Sequence, residues 1–241
     1  MYDLRPIAGS VATRLGMAAA VTVAFAALAR ALRGVSQSGA YAGAVVCFIL
    51  YASAGPGAFV ALMSVFLLAW LTTGFGYPRK QALGTAEKRD GRTASQVLAN
   101  LGTAAIAAAI SAATGKAAGL LAMVAALSEA AADTVSSELG QASSNQARLI
   151  TTWQKVPAGT DGGVTLVGTL AGVAAAAAVS LVSVAVGMLP WKWIAPAILS
   201  AVLGMLADSY LGATLERRHL LNNDTVNFLS TVVAAAFALL S

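Results

Sequence analysis

Charged side chains are what this chain of 241 residues has least of: Asp, Glu, Lys and Arg together make up 10% of it. Soluble globular domains carry about 25% charged residues, so a free existence in water is excluded. Most soluble enzymes, disordered tails and free-standing nucleic-acid-binding domains go with it. The single cysteine, Cys47, lies in an apolar run, which excludes a disulfide framework and a thiolate metal site. The single histidine, His219, follows Arg217 and Arg218 and reads as solvated, so an imidazole zinc site is excluded. No Gly-Lys-Ser/Thr follows the chain's glycine-rich stretch, so there is no Walker A motif. Asp3 and Pro6 interrupt any basic region of the kind that begins a signal peptide.

What the chain does have is apolar surface: 58% hydrophobic residues and a mean hydropathy of +0.76. A spanning helix needs about 20 apolar residues. Between Arg33 and Arg79 lie 45 uncharged residues, enough for two spans separated at Ser53-Ala54-Gly55-Pro56-Gly57. Uncharged runs of 23 residues from Thr93 to Gly115, 30 from Gly162 to Trp191 and 17 from Thr225 to Ser241 each hold one more. Three further segments cross only if some charge is tolerated. Ser10 to Ala31 has Arg14 near one end, where it can snorkel; Ala117 to Leu139 contains Glu129 and Asp133; Trp193 to Leu215 contains Asp208. The expectation is an all-α polytopic membrane bundle, a single domain over residues 1–241 with about eight (seven to nine) helices. The spans fall near 10–32, 38–53, 57–76, 93–113, 117–138, 163–188, 193–214 and 224–240.

Basic residues give an orientation. Alternate connections hold Arg30, Arg33, Arg79, Lys80, Lys88, Arg89, Arg92, Arg148, Lys155, Arg217 and Arg218, which is 11 of the 15; Arg5, Arg14, Lys116 and Lys192 fall on the other side. The first set is expected in the cytoplasm of a bacterial inner membrane, with both termini outside. The net charge of +5 is then mainly a topology signal. Long polar connections near 77–92, 139–162 and 215–223 lie on that same side, which points to a polar site at the cytoplasmic face of the bundle.

Carboxylates inside a span are costly and usually mark an ion, substrate or metal pathway. Glu129 and Asp133 are four residues apart and share a helix face; Glu138 is about half a turn off it, nearer water. The bland alternative is a pair neutralised by protonation or by an arginine from another helix. Ala207-Asp208-Ser209 echoes Ala132-Asp133-Thr134, and each is followed by a loop and an Asp (Asp161, Asp224) at the mouth of the next span. The echo of 117–188 in 193–240 is either an internal duplication or chance in an Ala-rich chain. Two Asp residues from different helices suit a magnesium ion bound to polyphosphate, because that hard cation takes few protein oxygens.

Pro157-Ala-Gly159-Thr160-Asp161-Gly162-Gly163 opens the sixth span and has Arg148 and Lys155 as basic neighbours. It is either an ordinary Gly-rich turn with Thr160 or Asp161 as N-cap, or a backbone cradle for phosphate at a helix start. Lys88-Arg89-Asp90-Gly91-Arg92 ahead of the fourth span is either a topology anchor or part of the site. Gln96 and Asn100, one turn apart, should face the bundle, since buried amides need partners. Asn222, Asn223, Asp224 and Asn227 crowd the start of the last span, where Asn223 or Asp224 could cap the helix. Gly168 and Gly172 allow close helix packing, and Trp191 and Trp193 read as interface anchors.

Together these blocks resemble the membrane protein family (domain of unknown function 92) that includes the plant and cyanobacterial phytyl-phosphate kinases and transmembrane protein 19 of animals. The resemblance is carried by Gly91-Arg92-Thr-Ala-Ser-Gln96-Val-Leu-Ala-Asn100, Ala132-Asp133-Thr-Val-Ser-Ser-Glu138-Leu-Gly140, and the long block from Arg148 through Trp153, Lys155 and Pro157 to Thr165. Asp208-Ser-Tyr-Leu-Gly212 and Asn222-Asn223-Asp224-Thr-Val-Asn227 complete it, from about residue 34 to the C-terminus. It implies a membrane kinase that uses CTP, or another nucleoside triphosphate, to turn phytyl or another prenyl monophosphate into the diphosphate. The expected partners are that lipid, the nucleotide and bilayer lipids, with no nucleic acid; a homodimer is left open.

Phosphoryl transfer rests on positioning and charge neutralisation, and a lipid phosphate is already a nucleophile. The expected roles follow. Asp133 and Asp208 bind Mg2+, with Glu129, Glu138 or Asp224 assisting. Gly159, Thr160, Asp161, Gly162 and Gly163, with Arg148 and Lys155, hold the triphosphate. Arg92 binds the lipid phosphate or the leaving group, and Gln96, Asn100, Asn223 and Asn227 orient phosphates or base. Two rival expectations are a lipid-phosphate cytidylyltransferase, which would release pyrophosphate, and an ion-coupled transporter, which would need polar groups near the midplane and on both faces.

Overall fold

Residues 11–241 are described by the computed structural model; Asp3, Pro6, Arg5 and Ser10 of the sequence reading lie outside them. Among the described residues eight helices are long and apolar enough to cross a membrane. They are α1 (Val11–Ala31), α2 (Gln37–Ala54), α3 (Pro56–Gly74), α5 (Ala94–Thr114), α6 (Ala118–Ser143), α7 (Leu166–Ala185), α8 (Ile194–Leu211) and α9 (Asn223–Leu240). Between α3 and α5 lies a short helix, α4 (Tyr77–Ala82). The break between α2 and α3 falls at Gly55, whose φ of 80° suits glycine and leaves Pro56 to open the next helix.

Helix α6 is the axis of the bundle, packed against α3, α5, α7, α8 and α9. Its run from Leu121 to Ala132 is buried on every side, as expected of a helix apolar all round. Small residues allow the close approach. A methyl group on Gly168 or Gly172 of α7 would collide with the Ser136 or Ala132 carbonyl of α6. Helices α1 and α2 sit outside, α2 against α5. Cys47 is packed in the core rather than facing lipid.

Three expectations change at the ends of spans. Helix α6 runs on to Ser143, past the expected stop at 138. The segment expected as an irregular polar connection then folds into a three-stranded antiparallel sheet, β1 (Gln146–Leu149), β2 (Lys155–Pro157) and β3 (Gly163–Val164), in the order β2-β1-β3. Consequently α7 starts at Leu166, not near 163, and its N-cap is Thr165, whose hydroxyl accepts from the Gly168 amide, not Thr160 or Asp161. The cap of α9 is Asn222, accepting from the Thr225 amide, not Asn223 or Asp224. Local side-chain-to-backbone bonding decides each cap, and the neighbouring candidates compete for it only in sequence.

The connections after α1, α3, α6 and α8 meet at one end of the bundle. Val35 bridges Arg92 and Arg30 pairs with Asp90 (3.3 Å), joining the first two; Arg79 donates to Asn145 (2.5 Å), joining the next. The polar mouth expected from the sequence is therefore one continuous surface.

Candidate functional site

Two cavities of opposite character flank α6 at this end. The first, about 130 Å³, is polar. Helix α6 lines it with Asp133, Ser136, Ser137, Gly140 and Gln141, a stripe at three- and four-residue spacing. The β2–β3 turn lines it with Gly159 to Gly163, α8 and its extension with Asp208, Ser209, Gly212 and Glu216, and α9 with Asn223. Beyond Leu211 the eighth span continues as a π-helical turn, Gly212–Glu216. Such turns re-aim the side chains that follow them; here Glu216 joins Asp208 on the cavity wall. Gly162, with φ of 72°, lies so near the backbone of Ala213 that any side chain would overlap it, and a side chain on Gly212 would in turn press on Gly162. That contact docks the loop on the π turn.

Among the described residues four carboxylates, Asp133, Asp161, Asp208 and Glu216, line the polar cavity, and no lysine or arginine does. The N-cap of α7, Thr165, and the first residue of α9, Asn223, stand at its wall, so two positive helix ends are directed at this region. Deeper, Glu129 is 1% exposed, and its Oε1 has no hydrogen-bond partner. It interacts with Asp133 and Asp208, and Ser230 of α9 is its hydrogen-bonding neighbour. With the Asn227 amide oriented to satisfy both of its sides, its nitrogen donates to Asp208 Oδ2 (3.2 Å) and its oxygen accepts from Asn100 Nδ2 (3.2 Å). Asn100 and Asn227 thus orient Asp208 from two helices.

The second cavity, about 400 Å³, is apolar and lies between α1, α2, α3 and α5, touching α6 at Ala130 and Thr134. Its mouth carries Arg33, Lys88, Arg89 and Arg92. Arg92 is the link between the cavities. Its Nη1 donates to Thr134 Oγ1 (3.4 Å) and its charge acts on Asp133, the preceding residue of α6, which faces the polar side. Its backbone is fixed by the Gly34 carbonyl and the Ser36 amide.

Several expected site residues lie elsewhere. Glu138 takes the ion pair of the fully buried Lys80 and a hydrogen bond from Thr73 (3.1 Å); it ties α6 to α3 and α4, not to Asp133. The reason is the half-turn offset, which carries it to the other side of α6. Arg148 and Lys155 are strand partners with exposed side chains, and Arg148 Nη1 donates to the Trp153 carbonyl (2.9 Å). The cavity is lined instead by Ala147, on the opposite face of the same strand, so alternation turns both cations away. Gln96 completes the capping box of Thr93 and donates to Glu87 (3.0 Å), a structural role at the wall of the apolar cavity. Asp224 sits in the first turn of α9 and does not line the polar cavity. The Gly159–Gly163 loop does line it, but as the connection between β2 and β3, the two outer strands of the sheet, not as a helix start.

Residues missed in the sequence are Glu216, Ser136, Ser137, Gln141 and Ser209, together with Arg33 at the second mouth, where Lys88 and Arg89 of the basic cluster also stand. The α6 stripe was legible as polar residues at three, four and eight positions after Asp133. Glu216 was not, because a regular helix would place it differently from the π turn.

The family described as integral membrane protein DUF92 matches residues 20–235. An uncharacterised membrane protein of Methanocaldococcus jannaschii is 34% identical over 230 residues, covering 94% of both chains. One from Synechocystis is 33% identical over 200 residues, 81% of this chain and 78% of that protein. The chloroplastic protein VTE6 of Arabidopsis thaliana is 29% identical over 216 residues, 86% of this chain and 65% of the plant protein. No solved structure matches. With a match across nearly its whole length, the chain belongs to the DUF92 family of integral membrane proteins.

Proposed function

We infer that the protein is a nucleoside triphosphate-dependent prenyl-phosphate kinase, using CTP, at the cytoplasmic face of a cell membrane. The observation that carries this is the pair of cavities meeting at consecutive residues of α6: Asp133 faces the polar one and Thr134 the apolar one. A lipid phosphate held by Arg92 at Thr134 would lie next to a nucleotide held beside Asp133. The similarity to VTE6 and the motif resemblance to phytyl-phosphate kinases agree with that chemistry.

In the transfer, a phosphate oxygen of the lipid attacks the γ-phosphorus of CTP. The bond from that phosphorus to the bridging oxygen breaks, and CDP leaves with the electron pair. No general base is needed, because the nucleophile is already ionised. Arg92 orients the acceptor; Asn227 and Asn100 hold Asp208; the Gly159–Gly163 backbone and Asn223 receive phosphate oxygens.

Four carboxylates without a lysine or arginine would repel a triphosphate, so a divalent cation between them fits the donor set. Asp133 and Asp208 would hold Mg2+, with Glu129 behind them, and the ion would neutralise charge building up on the phosphates. Among the described residues no group of three carboxylate, histidine or cysteine side chains could hold a metal ion, so the proposed ion would rest on the two aspartates and take its other ligands from phosphate and water.

The test is purified protein with labelled CTP, Mg2+ and a panel of prenyl monophosphates. CDP and prenyl diphosphate are expected. Release of pyrophosphate with a CDP-lipid would make it a cytidylyltransferase. The carboxylate-lined cavity with Glu129 beneath it also suits cation passage; no nucleotide turnover together with cation flux in proteoliposomes would establish that reading instead.

A further inference from the structure

We propose that the apolar cavity selects its lipid by chain length, and that the ring of Phe25, backed by α3, is the floor that sets the limit. The proposal rests on the kinase reading only for the identity of the headgroup.

The cavity has a charged end and an apolar end. Arg33, Lys88, Arg89 and Arg92 surround the mouth. Glu87 lines the same end but is engaged locally, accepting from Gln96 and the Lys88 amide, which leaves the four cations in excess. A monoanionic or dianionic head on an apolar tail matches this distribution. Along α3 the lining runs from Gly74 down to Leu62, roughly 18 Å at helical rise. On α1 the deepest lining residue is Phe25, and Phe59, one turn below Leu62, no longer lines the space. Phe25 is 8% exposed and meets Phe59 and Phe66 edge to face, at centroid distances of 5.6 and 5.3 Å. A stack of three rings is a rigid stop, because displacing one ring disturbs two favourable contacts. The opposing wall is small, with Gly39, Ala40 and Gly43 of α2 leaving the width for one chain. A single-chain lipid monophosphate of short to middle length therefore fits; a long polyprenyl tail meets the rings.

The experiment is competition binding to the full-length protein in nanodiscs, without nucleotide, against a fluorescent prenyl phosphate. Competitors are farnesyl, geranylgeranyl and undecaprenyl monophosphate, a diacyl phosphatidic acid and inorganic phosphate. The first two should bind at least about tenfold tighter than the others. Phe25→Ala should tighten undecaprenyl phosphate by about tenfold relative to farnesyl phosphate. Phe25→Leu, which keeps the site apolar, should move it the same way by less, and serves if the alanine variant does not fold. Equal affinity for all chain lengths in the unaltered protein, or an equal loss for every length in the folded variants, overturns the floor. Phosphatidic acid binding as tightly as geranylgeranyl phosphate overturns the single-chain assignment. Length-dependent binding without turnover of any nucleotide would refute the kinase reading and leave the floor standing.

Discussion

Asp133 and Asp208 come from different helices, yet both line the polar cavity with Glu129 behind them. If they hold the cation, Asp133→Asn and Asp208→Asn should each abolish transfer while leaving the melting temperature within a few degrees of the parent. Retained turnover in both would end the metal assignment. Lys80 and Glu138 make a different prediction. Lys80 is fully buried and donates to the Thr72 and Thr73 carbonyls as well as to Glu138. Lys80→Met leaves Glu138 without its cation and should cost about 3–5 kcal/mol, read as a large fall in melting temperature in detergent. Removing both charges together should recover much of that loss, because the unpaired carboxylate is then absent.

At the scale of elements, the three-stranded sheet between α6 and α7 decides which residues of the long central motif face the site. Its residue types pointed to phosphate chemistry, and the glycines do reach the cavity. Strand alternation was invisible in a stretch read as loop, so Arg148 and Lys155 were expected in a site that they face away from. Arg148→Ala and Lys155→Ala should therefore leave CTP-dependent turnover within about threefold of the parent; a hundredfold loss in either would show that the cations reach the nucleotide. Gly162 is the opposite case. Gly162→Ala forces a side chain into a φ of 72° and into the π turn carrying Glu216, so turnover should fall at least about tenfold, with a small loss of stability. The spans themselves were legible within a few residues, since an apolar run of the right length has little choice but to cross. Caps were less so: Asn222, Asn223 and Asp224 are all good N-caps, and only the backbone geometry selects Asn222.

At the scale of the whole molecule, the charge asymmetry predicts the orientation. Eleven basic residues lie at the end that carries both cavity mouths. In intact cells, a cysteine at Lys192 should react with a membrane-impermeant maleimide, and one at Lys155 only after the membrane is opened. The reverse pattern would invert the topology and move the site to the outer face. Cys47 is buried and should not confuse the readout.

Sequence alone pointed to the membrane environment, to about eight crossings within a range of seven to nine, and to the end of the bundle at which polar residues gather, because the cost of charge in lipid acts on composition and run length. Tertiary structure decided which charges meet. Glu129, Asp133, Asp208, Asn100 and Asn227 converge because small residues let α5, α6, α8 and α9 pack closely. Glu138, Arg148 and Lys155 turn away by half a helical turn or by strand alternation. Which helices wall the apolar cavity beside them was decided by the tertiary structure, since a void is a property of how helices fail to fill space.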